Sequence, residues 1–112
     1  MNKITLVIAL ICIVIANAQK PSQQKFQITG KVIDKETNEA LEYATIVLTP
    51  LNGKNVTGGL TDRNGNFNID AAAGSYNISV EFISFKNYTI TNKKIDNNLN
   101  LGTIYLEASS QA

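Results

Sequence analysis

The sequence predicts an all-β fold, a seven-stranded antiparallel Greek-key β-sandwich preceded by a signal peptide. Three observations favour this fold class. Apolar and polar residues alternate with period two in several short segments, turn-forming residues separate these segments, and no window shows a convincing helical period. The chain has 112 residues, which is enough for one small domain at most.

The N-terminal segment, residues 1–18, has the organisation of a secretory signal peptide. A single basic residue precedes a nearly continuous apolar run at residues 4–15, and Ala16-Asn17-Ala18 forms a small-x-small cleavage site. The alternative is an N-terminal membrane anchor, but the run is shorter than a bilayer span. We expect cleavage after Ala18, so that Gln19 becomes the first mature residue and residues 19–25 form a flexible lead-in.

The first two predicted strands follow this lead-in. Residues 26–32 alternate in polarity, and a charged connection at residues 34–41 interrupts the pattern. Alternation resumes at residues 43–50, where Pro50 closes the strand. The residues predicted to point inward are Phe26, Ile28, Val32, Ala44, Ile46 and Leu48.

Two turn signals surround the third predicted strand, residues 56–61. The first is Asn52-Gly53, a pair that favours a hairpin turn because both residues tolerate positive φ. The second lies within TDRNGNFNI, residues 61–69, which is also the best candidate for a functional loop.

The residues of this loop favour a turn over a ligand site. A helix–loop–helix calcium loop needs a glycine further from its first aspartate and a closing glutamate, and a phosphate loop needs several glycines and a lysine. Neither pattern is present. Asp62 can instead accept backbone hydrogen bonds, and Gly65 can take a positive φ. We predict a structural turn formed by Asp62, Asn64 and Gly65.

Four more strands are predicted after this turn. They are residues 66–70, 75–82, 85–95 and 98–107, and the turn at residues 71–74 ends at Gly74. In the last strand the inward parity changes at Gly102, which predicts a β-bulge there.

Composition excludes several classes of function. The sequence has no histidine, and its one cysteine, Cys12, lies in the signal segment. Its 10 basic and 9 acidic residues become nine of each once Lys3 is removed with that segment. We therefore expect no enzymatic activity, no metal or cofactor, no nucleic-acid partner and a mature domain that does not span a membrane.

The aromatic residues supply core and ligand candidates. A sandwich of this size buries only roughly 60–65% of its unfolded surface, so most aromatic rings are needed inside. The predicted core aromatic residues are Phe26, Phe67, Tyr76 and Phe82. Tyr43, Phe85 and Tyr88 are the candidate ligand-facing residues, because planar rings suit the apolar faces of sugars. This hypothesis requires the three rings to be exposed together over a shallow groove; otherwise they belong to the core or rim.

The sequence resembles the carboxypeptidase regulatory-like domain over residues 26–107. The matching patterns are G-x-V-x-D at Gly30, Val32 and Asp34, T-D-x-x-G-x-F at Thr61, Asp62, Gly65 and Phe67, and G-x-Y at Gly74 and Tyr76. Ser84-Phe85 stands where the family usually has Gly-Tyr. The resemblance implies a transthyretin-like sandwich of seven strands with an accessory, non-catalytic role.

The closing segment LGTIYLE, residues 101–107, resembles the version of this domain at the N-terminus of Bacteroidetes TonB-dependent outer-membrane receptors. We therefore expect an exported accessory or binding domain, located in the periplasm, at the outer membrane or secreted. Its expected partner is a protein or the downstream domains of such a receptor. Residues 108–112 are a tail or truncated linker, so the chain is either a receptor fragment or a free-standing module. The alternative function is a carbohydrate-binding or adhesion-type sandwich with a glycan as ligand.

Overall fold

The structure is a computed structural model and describes residues 24–109. The predicted signal peptide, with its cleavage site at Ala18 and Gln19, lies outside these residues. Within the described part of the chain, no helix is long and apolar enough to cross a membrane. The seven strands are β1 (Lys25–Asp34), β2 (Thr45–Pro50), β3 (Thr57–Leu60), β4 (Asn66–Ala72), β5 (Gly74–Glu81), β6 (Tyr88–Ile95) and β7 (Leu99–Leu106).

The strands form a sandwich of two sheets, which confirms the predicted fold class. The three-stranded sheet has the order β4-β1-β7, and the four-stranded sheet has the order β3-β2-β5-β6. The core lies between the sheets and consists of the alternate residues of each strand, as the period-two pattern predicts. Its completely buried residues include Ile28, Val32, Ala44, Ile46, Leu48, Ile78 and Val80.

One strand pair differs from the predicted antiparallel arrangement, because β1 and β7 run parallel. β4 lies antiparallel to β1 on one side. The chain then passes through β5 and β6 of the other sheet before β7 returns to the free side of β1. Strand direction thus depends on the path of the connections between the two sheets, which local alternation does not encode.

The β-bulge predicted at Gly102 is confirmed. The register between β1 and β7 shifts between Thr29 and Lys31, and Gly102 has a φ of 74°. The extra residue changes the parity of β7. Leu99 and Leu101 therefore point inward before the bulge, while Ile104 and Leu106 do so after it.

A close approach explains the glycine in the middle of β1. Gly30 lies opposite Phe67 of β4. A Cβ at Gly30 would be 2.5 Å from Cζ of the Phe67 ring, so this ring occupies the space that a side chain would need. Phe67 is 4% exposed, and the ring covers the bare backbone of β1.

The predicted core aromatic residues separate into two groups. Phe67 and Tyr76 are buried, whereas Phe26 and Phe82 are only partly buried against the core cluster. Phe26 is the second residue of β1, and Phe82 directly follows β5. Neighbouring strands cover less of an aromatic ring at the end of a strand than in its middle. The alternation pattern predicts only which face of the sheet a residue lies on, and not how close the residue is to the end of its strand.

The connection between β2 and β3 is longer than the two-residue hairpin that Asn52-Gly53 favours. It spans residues 51–56, and the N–H of Gly53 donates to the carbonyl of Pro50 at 2.8 Å. Gly53 has a φ of 77°, and a second positive φ occurs at Asn55. The Asn52 side chain instead accepts the N–H of Lys54 at 2.9 Å.

Candidate functional site

The turn between β3 and β4 is held together by one carboxylate. Oδ1 of Asp62 accepts the N–H groups of Asn64 and Asn66, each at 2.9 Å. Gly65 has a φ of 78°, and a Cβ there would be 2.5 Å from the carbonyl oxygen of Val32. The Gly65 carbonyl in turn accepts the N–H of Val32 at 2.8 Å. The Gly65 contacts connect the turn to β1, and Oδ1 of Asp62 is held by the backbone of the turn itself.

Thr61, just before this turn, is the buried polar residue that sequence reasoning missed. It is 2% exposed. Its hydroxyl donates to the carbonyl of Leu41 at 2.5 Å and accepts the N–H of Ala44 at 2.8 Å. Its backbone N–H donates to the Ala44 carbonyl, and its carbonyl accepts the N–H of Tyr43. The four hydrogen bonds made by the three polar groups of Thr61 therefore fix the segment that leads into β2.

The connection from β4 to β5 is closed by Tyr76. Only Ala73 separates the two strands, and Gly74 begins β5 with a φ of 155°. The Tyr76 hydroxyl donates to the carbonyl of Ala72 at 2.7 Å. The ring is buried while its hydroxyl closes this sharp connection between the sheets.

The three candidate ligand-facing rings lie on three different segments at one end of the four-stranded sheet. Tyr43 is 67% exposed and precedes β2, while Tyr88 is 39% exposed at the start of β6. These strands are separated by β5 in the sheet. The Phe85 ring is partly buried and packs edge-on against Phe82, with 5.5 Å between ring centroids.

No group of three histidine, cysteine, aspartate or glutamate side chains within residues 24–109 is placed to hold a metal ion. Asp34, at the end of β1, instead accepts the N–H of Glu36 at 2.9 Å. This contact belongs to a turn in the charged connection that follows β1.

The outer edge of β7 has no strand beside it within residues 24–109. The Leu106 carbonyl accepts the N–H of Lys35 at 3.0 Å, so it faces β1. Alternate residues of a strand direct their backbone polar groups to opposite sides. Thr103 and Tyr105 therefore direct theirs away from β1, where residues 24–109 provide no further strand.

The other three edge strands carry features that discourage strand addition. β3 has four residues, β4 contains Asp70, and β6 contains Lys93 and Lys94 together with a positive φ at Asn92. β7 has eight residues and no charged side chain, and only the bulge at Gly102 interrupts it. Short length, charge and bulges are the usual protections of a sheet edge, so β7 is the least protected.

One end of the β7 edge already has a backbone partner. The segment Ser84 to Lys86 runs antiparallel to residues 107–109, with a bridge between Phe85 and Ala108. The N–H of Lys86 donates to the Glu107 carbonyl at 2.8 Å, and the N–H of Ser109 donates to the Ser84 carbonyl at 2.9 Å. Two residues that the sequence assigned to a tail, Ala108 and Ser109, thus pair with the fold.

This pairing is flanked by an exposed cluster of charges. The Glu107 carboxylate lies 2.8 Å from Nζ of Lys35 and 3.5 Å from Nζ of Lys86. The hydrogen bond and charge of Lys35, with the charge of Lys86, lower the pKa of Glu107. The hydrogen bond and charge of Glu107 raise the pKa of Lys35. The contacts are exposed to solvent, so their energetic contribution is small and sensitive to salt.

The turn at Ser84-Phe85 keeps the geometry that a glycine would provide. The N–H of Phe85 donates to the Phe82 carbonyl at 3.0 Å, which closes a four-residue turn. Ser84 has a φ of 68°, a region that glycine enters at little cost and other residues enter at some cost. Serine in place of glycine at position 84 therefore raises the conformational energy of the turn, while the hydrogen bond and the positive φ of the turn are kept.

Comparison with known proteins agrees with this architecture. The family model described as CarboxypepD_reg-like domain matches residues 28–112. No curated protein matches the chain.

Several solved structures share the fold. A type II cohesin–X–dockerin complex from Acetivibrio cellulolyticus has a TM-score of 0.61 at 21% identity, over 74% of this chain and 58% of that one. The shaft pilin SpaA of Lactobacillus rhamnosus GG has a TM-score of 0.55 at 15% identity, over 81% and 50%. The pilus 2b backbone protein of group B streptococcus has a TM-score of 0.52 at 21% identity, over 82% and 44%. The chain thus spans about three fifths or less of each of these proteins.

Proposed function

Because the chain belongs to the CarboxypepD_reg-like domain family, we propose that it is a non-catalytic, exported module that contacts other proteins. Its proposed place is the periplasmic N-terminal position of a TonB-dependent outer-membrane receptor system. The proposed contact is addition of a strand to the edge of β7, made by a partner protein or by neighbouring domains of the same receptor.

The observation that most supports this proposal is the unprotected edge of β7. Its eight residues carry no charge, and the outward backbone groups of Thr103 and Tyr105 have no strand partner within residues 24–109. Unpaired groups of this kind form a template for another strand. The pairing of Ser84 to Lys86 with residues 107–109 shows that main chain fits against the outer side of this edge in the antiparallel direction.

The chemistry of the described residues also supports a binding role. One carboxylate oxygen of Asp62 is bonded to the backbone of its own turn, and Glu107 is paired with two lysines. Within residues 24–109 neither carboxylate has a histidine or a cysteine beside it to act as a general base or a thiol nucleophile.

The receptor assignment is tested by the length of the reading frame beyond codon 112 and by the intact mass of the native protein. Continuation into a plug and a long series of alternating strands is the expected result. A stop codon together with a native mass equal to that of residues 19–112 would overturn the receptor assignment.

The proposed contact is tested separately by amide hydrogen exchange on the native, full-length product and on the chain of residues 19–112. The outward N–H groups of Thr103 and Tyr105 are expected to exchange at least about tenfold more slowly in the native assembly. The N–H groups of Ile104 and Leu106 face β1 and serve as internal controls, since they are protected in both. Equal exchange of Thr103 and Tyr105 in the two samples would exclude strand addition at β7.

A further inference from the structure

The outward face of the three-stranded sheet carries a continuous set of amide and hydroxyl side chains. Strand register places them in two adjacent rows across β4, β1 and β7. We call this surface the amide face, and its rows are Asn68–Thr29–Asn100 and Asn66–Lys31–Thr103. These residues alternate with the buried Ile28, Val32, Phe67 and Ile69, so they point away from the core.

The amide face is hollow at its centre. The hollow has a volume of about 430 Å³ and is lined by the two rows together with Gly30, Phe67 and Gly102. At the bulge, a Cβ on Gly102 would meet no atom within 4 Å, so the backbone there is open to solvent. The depression is shallow and open to solvent, so a ligand there would lie on the surface of the sheet rather than inside an enclosed pocket.

Most polar groups of the amide face are not used by the fold. The side chains of Asn66, Asn68, Thr29 and Thr103 take part in none of the side-chain hydrogen bonds found within residues 24–109. Oδ1 of Asn100 accepts the N–H of Gly102 at 2.8 Å, which orients this amide.

The polar groups of the adjacent row, Asp70–Gln27, already have hydrogen-bond partners within the protein. There, Nε2 of Gln27 donates to Oδ1 of Asp70 at 2.7 Å, and Oδ1 of Asn98 accepts the Gln27 N–H at 2.9 Å. The side chains of that row therefore bond to other residues of the protein, whereas the side chains of the amide face have donors and acceptors available for a ligand.

An aromatic ring lies at one end of the amide face. Tyr105 is 51% exposed and follows Thr103 by two residues on the same side of β7. Residues at this spacing are about 7 Å apart along a strand. Tyr105 thus lies on the same face just beyond the residues that line the hollow, about one ligand unit along β7 from Thr103.

We propose that the amide face binds a neutral glycan, with Tyr105 stacking on the apolar face of a sugar ring. Amide side chains both donate and accept, which matches the hydroxyl groups of a saccharide. The Lys31 ammonium adds donors at the centre and forms none of the ion pairs found within residues 24–109. This inference is independent of the proposed protein contact, because it uses the face of the sheet and the contact uses the edge.

Charge and polarity favour a glycan over other ligands. A single cation among five neutral polar side chains is a weak match for the phosphates of a nucleic acid. An apolar small molecule would leave the amide and hydroxyl groups of the two rows without hydrogen-bond partners from the ligand. Because the hydrogen bonds are exposed and compete with water, the expected affinity is roughly millimolar for a short oligosaccharide.

The test is titration of the mature chain of residues 19–112 with cellohexaose, xylohexaose, laminarihexaose and mannohexaose to about 10 mM, followed by amide NMR spectra. At least one oligosaccharide is expected to shift the signals of Thr29, Asn66, Asn68, Asn100 and Thr103. Asn68→Ala and Tyr105→Ala are each expected to weaken binding roughly three- to tenfold, as loss of one exposed hydrogen bond or stacking contact predicts.

The matched control variants are Asn87→Ala and Tyr43→Ala, which remove exposed side chains of the same types elsewhere. Both are expected to bind like the parent protein, and thermal unfolding checks that all four variants are folded. The proposal is overturned if none of the four saccharides shifts the amide face, or if the shifts gather around Tyr43 or Tyr88. Equal binding by Asn68→Ala and the parent protein would also exclude it.

Discussion

Replacement of Thr61 by valine is expected to destabilise the domain by about 3 kcal/mol. Valine has nearly the shape of threonine, so the change removes the hydroxyl and little else. That hydroxyl donates to the Leu41 carbonyl and accepts the N–H of Ala44, in a site where Thr61 is 2% exposed. Both backbone groups would be left without these partners, and each buried unpaired group costs about 1–3 kcal/mol.

The loss is large relative to the stability of a domain of this size, which is about 4–13 kcal/mol. At about 4–8 °C per kcal/mol, the melting temperature is expected to fall by roughly 12–24 °C. Calorimetry measures the melting temperature, and urea unfolding independently measures the free energy of unfolding. The slope of the urea transition is expected to stay constant if the native state remains equally compact.

Thr61→Ser is the matched control, because it keeps the hydroxyl and removes only a methyl group. Its expected cost is about 1 kcal/mol, which is typical of deleting one buried methyl. If Thr61→Val were no more destabilising than Thr61→Ser, the hydroxyl contacts with Leu41 and Ala44 would not be what holds the entry to β2, and the reasoning would fail.

Two further predictions concern the segment that pairs with the end of β7. Ser84→Gly is expected to stabilise the domain by about 1 kcal/mol, because Ser84 has a φ of 68°, whereas Ser84→Ala should give no such gain in thermal unfolding. Because contact with lysines lowers the pKa of Glu107, its stabilising contribution is present above its unfolded-state pKa and is lost as pH falls through the folded value. The protection factor of the Lys86 amide, taken against its intrinsic exchange rate at each pH, should therefore fall in acid, and Glu107→Gln should remove that fall; an equal fall in the variant would refute the assignment.

Alternation in the sequence was sufficient to predict which residues of most strands face the core. Ile46 and Leu48 in β2, and Ile78 and Val80 in β5, are completely buried as their parity requires. The reason is physical, since successive side chains of a strand point to opposite faces and one face must leave water. The change at Gly102 in which alternate residues of β7 face the core could be predicted for the same reason.

The candidate site was much less predictable. The sequence drew attention to Tyr43, Phe85 and Tyr88 because aromatic residues are conspicuous, but it could not show that β5 lies between the strand that Tyr43 precedes and the strand that Tyr88 begins. The amide face consists of common polar residues from three strands that are distant in sequence. One signal was present in the pattern: Asn66 and Asn68 alternate with buried residues, but their neighbours across the sheet were unknown.

The role of Thr61 was hidden for a similar reason. Its hydroxyl partners, Leu41 and Ala44, lie 20 and 17 residues away in the chain. A threonine before a turn is ordinary in a sequence, and burial alone makes its hydroxyl energetically important.

The sequence by itself determined the strands, their buried faces, the turn at Asp62 and Gly65, and the bulge in β7, because each depends on residues close together in the chain. The tertiary structure decided the parallel pairing of β1 with β7, the open edge beside Thr103 and Tyr105, and the meeting of Asn68, Thr29 and Asn100 on one surface. Those features depend on which strands become neighbours, and neighbours are chosen by closing the core between two sheets rather than by any local pattern.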